Sequence, residues 1–472
     1  MRKTKIICTL GPASDTYEVL KEAIKAGLDC ARLNFSHGTY DEKKEKIDLI
    51  HKLNKELGTN VPVLLDTKGP EIRVRNFEGD KILLNEGDEF RLSPDPNLLG
   101  NSKICGLTYP NLADYVKVGN KILVDDGKIQ LDVIKIEDRV LVTKVLNSGS
   151  ISNHKSINIP DVIVNMPYLS EVDKKDIIFG CENGVDYIAA SFVRRRQDVL
   201  DLKALLHEHG GDNIKIISKI ENTEGVSNMD DIIDESDGVM VARGDLGVEV
   251  AYKKLPSIQK DMINRCYLKG KLVITATQML DSMTNNPRPT RAEVSDVANA
   301  VYDSTSCTML SGETAAGKYP IEAIKAMSDI DRFAEDDINY MHRFTKNHLD
   351  LGNDALSVLA NAAVLASFQT KAKAIICVTM QGKTAQKISA YRPECPIIAI
   401  TVDPIACRQL NLAWGVYPVS AERKDSTDEL FLYAIEKAKS TGLVKKGDNV
   451  VITTSSIIGT GVTDTLKLHT IE

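Results

Sequence analysis

Two short stretches carry the residues best suited to chemistry. Residues 217–225 read ISKIENTEG, and residues 240–250 read MVARGDLGVEV. Each begins apolar, as a buried strand does, and ends in charge. Lys219 and Glu221 lie two apart, as do Arg243 and Asp245, so each pair would project to one side of its strand. An ammonium and two carboxylates, Glu221 and Asp245, would then converge at neighbouring strand ends. Mg²⁺ is commonly held by one or two carboxylates while substrate oxygens and water complete its shell. The implied chemistry is metal-assisted reaction of an anionic, phosphorylated substrate. A purely structural ion-pair network is the competing reading.

The elements that would position these groups follow a regular order. Short apolar runs begin near Lys5, Ala31, Val61, Asp186, Ile214, Asp237, Leu272 and Cys307. Helical patterns such as 17–27 and 198–209 separate most of them, at intervals of roughly thirty residues, the size of one strand–helix unit. Eight such units imply an α/β fold, a closed (β/α)8 TIM barrel. Polar residues close most of these strands: Arg32, Asn34 and Ser36 followed by His37 on the second, and Asp66 and Thr67 on the third. The seventh ends in Thr277 and Gln278, and the eighth in Ser311 and Glu313. The interval from Val61 to Asp186 is far longer than the rest. It holds an insertion, residues 69–169, whose segment 121–145 alternates apolar and polar around an Asp-Gly turn, the pattern of a hairpin. This predicts a small all-β domain, a β-barrel lid over the strands' C-terminal ends. The barrel then comprises residues 1–68 and 170–344, and a second α/β pattern fills 345–472.

At 472 residues the chain is too long for one core. A formal charge of −7 disfavours a general nucleic-acid binder. The nine cysteines show no C-x-x-C pair, which fits reduced thiols in a cytoplasmic protein. The N-terminal apolar run is too short for a signal peptide, and no stretch reaches the length of a membrane span. The segment 312–318, GETAAGK, mimics a phosphate-binding loop, but Tyr319 stands where a Mg²⁺-binding Ser or Thr belongs. The glycines around Asp245 suit either a short helix N-terminus or a plain turn. The run Arg194–Arg195–Arg196 reads as a solvated charge run.

With ARLNFSHG (31–38), LLDTKGPEIR (64–73), ISKIEN (217–222), MVARGDLG (240–247), ATQML (276–280), NPRPTRAEVSDVANAV (286–301) and MLSGET (309–314), the chain closely resembles the pyruvate kinase family. The resemblance implies phosphoryl transfer from phosphoenolpyruvate to ADP, giving pyruvate and ATP in glycolysis. It assigns Mg²⁺ (or Mn²⁺) to Glu221 and Asp245, and K⁺ to Asn34, Ser36, Asp66 and Thr67. Lys219 and Arg32 match residues at the transferring phosphoryl group, and Gly244, Asp245 and Thr277 match residues that bind phosphoenolpyruvate. Asn34, His37, Arg73 and Lys155 match the nucleotide site. Thr277, Ser311 and Glu313 match the region implicated in protonating enolpyruvate. Glu71 matches members that need K⁺; those that do not carry Lys there.

The tail resembles an effector domain. Its loop TMQGKTA (379–385) offers Thr379, Lys383 and Thr384 to a phosphorylated effector, with Gln381 where relatives have a hydroxyl residue, and a later loop (455–465) keeps glycine and hydroxyl character. The resemblance also implies a homotetramer, and with its last residue at Glu472 the chain is expected to lack the extra C-terminal domain of some bacterial members. The alternatives are a Mg²⁺-enolate lyase on a similar barrel and a catalytically silent metabolite sensor.

Overall fold

The computed structural model describes all residues except 348, 350, 425 and 457–461. Eight strands, Lys5–Thr9, Cys30–Asn34, Val63–Asp66, Tyr187–Ala190, Lys215–Ile220, Gly238–Ala242, Leu272–Ala276 and Cys307–Leu310, close into a barrel. All neighbouring pairs are parallel. Several surrounding helices start where a Ser or Thr is followed three residues later by an acid. Thr39–Glu42, Ser170–Asp173 and Thr290–Glu293 each form a reciprocal capping box.

The period-two alternation of a strand explains how the barrel builds its site. Inward-facing Ile7, Cys30, Leu64, Ala189, Ile217 and Met309 belong to one buried apolar cluster. Two residues further along the first five of these strands, the same face carries Thr9, Arg32, Asp66, Ser191 and Lys219, and Glu221 follows Lys219. An apolar plug therefore gives way to a polar layer at the strands' C-terminal ends.

The inserted segment forms a seven-stranded sheet in the order Ile72–Arg73, Ser156–Asn158, Lys121–Val124, Ile129–Glu137, Val140–Val145, Glu89–Ser93, Ile104–Gly106, with a separate pair of strands, Lys81–Leu84 and Gly149–Ser152. The sheet's two edges meet at a Val74–Leu107 bridge, which curls it toward closure around a core that includes Phe90 and Leu131. The expected hairpin turns at Asp125 and Asp126, both at positive φ, and Gly127.

Both connections to the barrel are anchored. Gly69 sits at φ 75°, and a Cβ there would lie 2.8 Å from the Ser191 Cβ; its N–H donates to Asp173 Oδ1 at 2.9 Å. On the return, Arg194 donates to the carbonyls of Val164 (3.0 Å) and Met166 (2.8 Å) and pairs with Asp198. The expectation of a solvated run is thus corrected at Arg194, which is buried; the end of the inserted segment supplies carbonyls that need a donor. Arg195 and Arg196 are exposed. Arg194→Met is expected to lower the unfolding free energy by about 3 kcal/mol, because Asp198 is left buried with a weakened partner set. Arg196→Ala should stay within about 0.5 kcal/mol. Denaturant unfolding checks both.

The C-terminal sheet runs Val416–Ser420, Ile397–Thr401, Ala374–Val378, Asn449–Thr454, Thr465–Thr470, with only the last strand antiparallel. It docks on the barrel's base. Leu412 joins the barrel's inner cluster, Tyr187 Oη donates to Gln409 O at 2.8 Å, and Arg408 meets the fully buried Asp186 at 2.9 Å. Among the described residues, no helix is long and apolar enough to cross a membrane.

Candidate active site

A cleft of about 310 Å³ opens at the C-terminal ends of the barrel strands, under the inserted domain. Arg32, Asn34, Ser36, His37, Asp66, Thr67, Glu71, Arg73, Lys155, Lys219, Glu221 and Asp245 all line it. These are predicted substrate, nucleotide and cation residues drawn from five separate stretches of chain.

At its centre Asp66 bridges two cations. Oδ2 accepts from Arg32 Nε at 2.7 Å and Oδ1 from Lys219 Nζ at 3.1 Å. Burial opposes the Asp66 charge, but Arg32 and Lys219 outweigh it and hold the carboxyl below its usual range. Lys219 also donates to Ser191 Oγ at 2.7 Å. Burial disfavours its charge too, yet Asp66 and Glu221 more than compensate, so it stays an ammonium. Arg32 Nη1 is fixed by Thr9 Oγ1 at 2.8 Å. Both cations are therefore held in position before any substrate arrives.

Glu221 is fully buried. Oε2 accepts the Phe192 N–H at 2.6 Å, and Phe192 adopts φ 54° to deliver it. Oε1 lies 2.9 Å from Lys219 Nζ but, among the described residues, takes no hydrogen bond of acceptable geometry. Burial, only partly offset by Lys219 and reinforced by the nearby Asp245, pushes Glu221 up to about 8. A buried carboxylate with an open oxygen beside a second carboxylate fits a hard divalent cation. Among the described residues there is no cluster of three or more His, Cys, Asp or Glu side chains that could hold a metal. Two carboxylates suffice for Mg²⁺ where phosphate and water supply the rest.

One expectation fails in its geometry. Arg243 and Asp245 do not share a strand face, because the sixth strand ends at Ala242 and Arg243–Glu249 is a short helix. The helix turns Asp245 into the cleft and Arg243 away from it. Arg243 donates to the carbonyls of Thr277 (2.6 Å) and Gln278 (3.1 Å) and pairs with Asp296 at 2.5 Å. It thereby secures two consecutive residues at positive φ, Thr277 at 67° and Gln278 at 53°.

Thr277, Ser311, Glu313 and Gly244 are not among the residues that line the cleft. Thr277 Oγ1 accepts from the Gly244 N–H at 2.9 Å. Glu313 is buried and accepts the N–H groups of Leu280 and Ser311, while the Ser311 hydroxyl is buried without a partner among the described residues. On the far wall, Arg73 pairs with Glu71 at 2.5 Å, and Lys155 pairs with Asp125 at 2.9 Å.

Sequence reasoning passed over Ser191, Thr9 and Asp125. Ser191 and Thr9 were reachable by extending the inward face of their strands two residues beyond Ala189 and Ile7. Asp125 carried no such signal, because only the docking of the inserted domain brings it to the cleft.

In the C-terminal domain, Thr379 Oγ1 accepts the Gly382 N–H at 3.1 Å, and the Thr384 hydroxyl bonds Thr463 at 2.6 Å. Gln381 and Lys383 are exposed. Much of the later loop, residues 457–461, lies outside the described residues.

A (β/α)8 barrel that gathers Arg32 and Lys219 with Asp66, Glu221 and Asp245 under an inserted β domain fits a phosphotransferase-type site. Comparison with known proteins agrees with it. The family model for the pyruvate kinase barrel domain matches residues 1–324, and that for the pyruvate kinase alpha/beta domain matches residues 357–469. A pyruvate kinase from Bacillus licheniformis is 46% identical over 473 residues, covering 100% of this chain and 81% of the relative. One from Geobacillus stearothermophilus is 47% identical over 474 residues, with the same coverage. One from Clostridium acetobutylicum is 45% identical over 473 residues, covering 100% of both. The chain belongs to the pyruvate kinase family. Its activity is the glycolytic transfer of a phosphoryl group from phosphoenolpyruvate to ADP, and the family generally requires a divalent metal and K⁺.

Proposed function

We propose that the reaction takes place where Arg32, Asp66, Lys219 and Glu221 converge, and that this buried charge cluster is the observation on which the reading rests. A β-phosphate oxygen of ADP attacks phosphorus, and the bond to the enol oxygen breaks. Arg32 and Lys219 face the transferring group, the electron pair of the broken bond stays on the enol oxygen, and the Lys219 ammonium stabilises the charge that develops there. Phosphoryl transfer depends mostly on positioning and charge stabilisation, which two preset cations provide. Mg²⁺ or Mn²⁺ on Glu221 and Asp245 would neutralise phosphoryl and carboxylate oxygens when bound. Gly244, Asp245 and Thr277 bind phosphoenolpyruvate. Asn34, His37, Arg73 and Lys155 hold the nucleotide phosphates. Thr277, Ser311 and Glu313 order the water that protonates enolpyruvate at carbon. The domain of residues 69–169 closes over the cleft and keeps water from the phosphoryl group.

Asn34, Ser36, Asp66 and Thr67 form an oxygen-rich K⁺ site. The carboxylate of Glu71 leaves that cation's charge to be supplied from solution. Pyruvate formation should therefore be strong in K⁺ and at least tenfold weaker in Na⁺, and Glu71→Lys should shrink the difference. Equal turnover of the unaltered chain in both buffers would remove the K⁺ reading. The C-terminal domain, residues 345–472, binds a phosphorylated small-molecule effector at Thr379, Gln381, Lys383 and Thr384, and the protein acts as a cytoplasmic homotetramer.

A further inference from the structure

A second cavity, of about 200 Å³, lies on the opposite face of the barrel, where its base meets the C-terminal domain. Lys215, Lys271 and Ser306 line it from the barrel, and Arg392 and Trp414 from the C-terminal domain. Three cations thus face one carboxylate, Asp237. That carboxylate is taken, since it pairs with Lys215 at 3.1 Å. Among the described residues, Lys271 Nζ donates to carbonyls alone, those of Asp234 (3.1 Å) and Ser236 (2.6 Å).

Arg392 is the unusual member. It is 4% exposed, and no carboxylate pairs with it among the described residues. Nη2 donates to Ser306 Oγ at 2.8 Å and to Ser304 O at 3.3 Å, while the buried Nε has no partner among the described residues. The guanidinium lies 4.8 Å from the Trp414 ring centroid. Burial pushes Arg392 down to about 10, which shows how little nearby negative charge offsets its desolvation. A buried cation is ordinarily paired, and leaving one unpaired is costly. A cavity of about 150 Å³ is enough to admit a ligand the size of benzene.

We propose that this cavity is a binding site for a small oxyanion, a carboxylate or phosphate group, held by Arg392 and Lys271. Such a ligand would bridge the barrel base to the C-terminal domain across Ser306 and Arg392, and so strengthen their docking. Trp414 is the chain's single tryptophan, which makes it a local reporter. The test titrates inorganic phosphate, and separately succinate, against tryptophan fluorescence at constant ionic strength, with phosphoenolpyruvate and Mg²⁺ saturating the catalytic cleft.

A saturable change at millimolar concentration is expected with at least one of the two, and none with chloride. Arg392→Gln should raise the half-saturating concentration at least about tenfold, the scale of a lost charge-assisted hydrogen bond. If that variant does not fold, Lys271→Met should raise it at least threefold. Tighter binding of phosphate assigns the site to a phosphate group, and tighter binding of succinate assigns it to a carboxylate. No saturable change with either anion overturns the proposal. So does unchanged half-saturation in Arg392→Gln, or in Lys271→Met where that variant stands in.

Discussion

Replacing Lys219 with Met should leave phosphoenolpyruvate binding largely intact and lower kcat by at least ~10²–10³, the scale for losing one preorganised stabiliser of developing charge. The expectation comes from placement. Lys219 is buried, kept charged by Asp66 and Glu221, and steered by Ser191 at 2.7 Å, so it needs no reorganisation when charge shifts to the enolate. Methionine preserves most of the stem's volume but supplies no donor. Steady-state turnover beside a direct measurement of phosphoenolpyruvate binding separates the two effects. A variant with near-normal kcat would remove Lys219 from the reaction.

Asp66→Asn should be the most damaging change to stability in the cleft, at about 3–5 kcal/mol. Asp66 is 1% exposed and accepts from both Arg32 and Lys219. An amide offers one acceptor and no charge, so the half-buried Arg32 would lose its carboxylate. Lys219 would keep the Ser191 hydroxyl and, as a charged partner beside it, Glu221, whose own ionisation burial already opposes. Activity should fall with stability, since the aim of both cations depends on this one side chain. Denaturant midpoints for the unaltered chain and the variant give the first quantity, and turnover well below the new midpoint gives the second. Unchanged stability would mean that water or K⁺ compensates the two cations without Asp66.

The physical reason these residues meet was largely legible in the chain. A strand alternates faces, so Ile217, Lys219 and Glu221 share one side, as do Leu64 and Asp66. The unusually long interval after Val61 announced an insertion, and its position after the third strand set it above the cleft. What failed was the extrapolation of strand geometry past Ala242. The residues Arg-Gly-Asp-Leu-Gly form a helix, which separates Arg243 from Asp245 by rotation rather than aligning them. Arg194 misled in the opposite direction. Its charge suggests solvent, yet the carbonyls of Val164 and Met166 arrive from another domain and bury it. Asp125 is similar: a turn residue on its own hairpin, it becomes a partner of Lys155 only once the inserted domain folds. Contacts within one strand can be read from spacing, whereas contacts between domains need the tertiary arrangement.

In the proposed reaction, Glu221 and Asp245 present a divalent cation to a phosphoryl group held by Arg32 and Lys219. Its most direct test is pyruvate formation from phosphoenolpyruvate and ADP as a function of Mg²⁺ concentration, for the unaltered chain and for Glu221→Gln. The variant should need at least about tenfold more Mg²⁺ for half-maximal rate and reach a lower maximum, because a neutral amide replaces an anionic ligand. The same Mg²⁺ dependence and the same maximal rate in both proteins would contradict this arrangement.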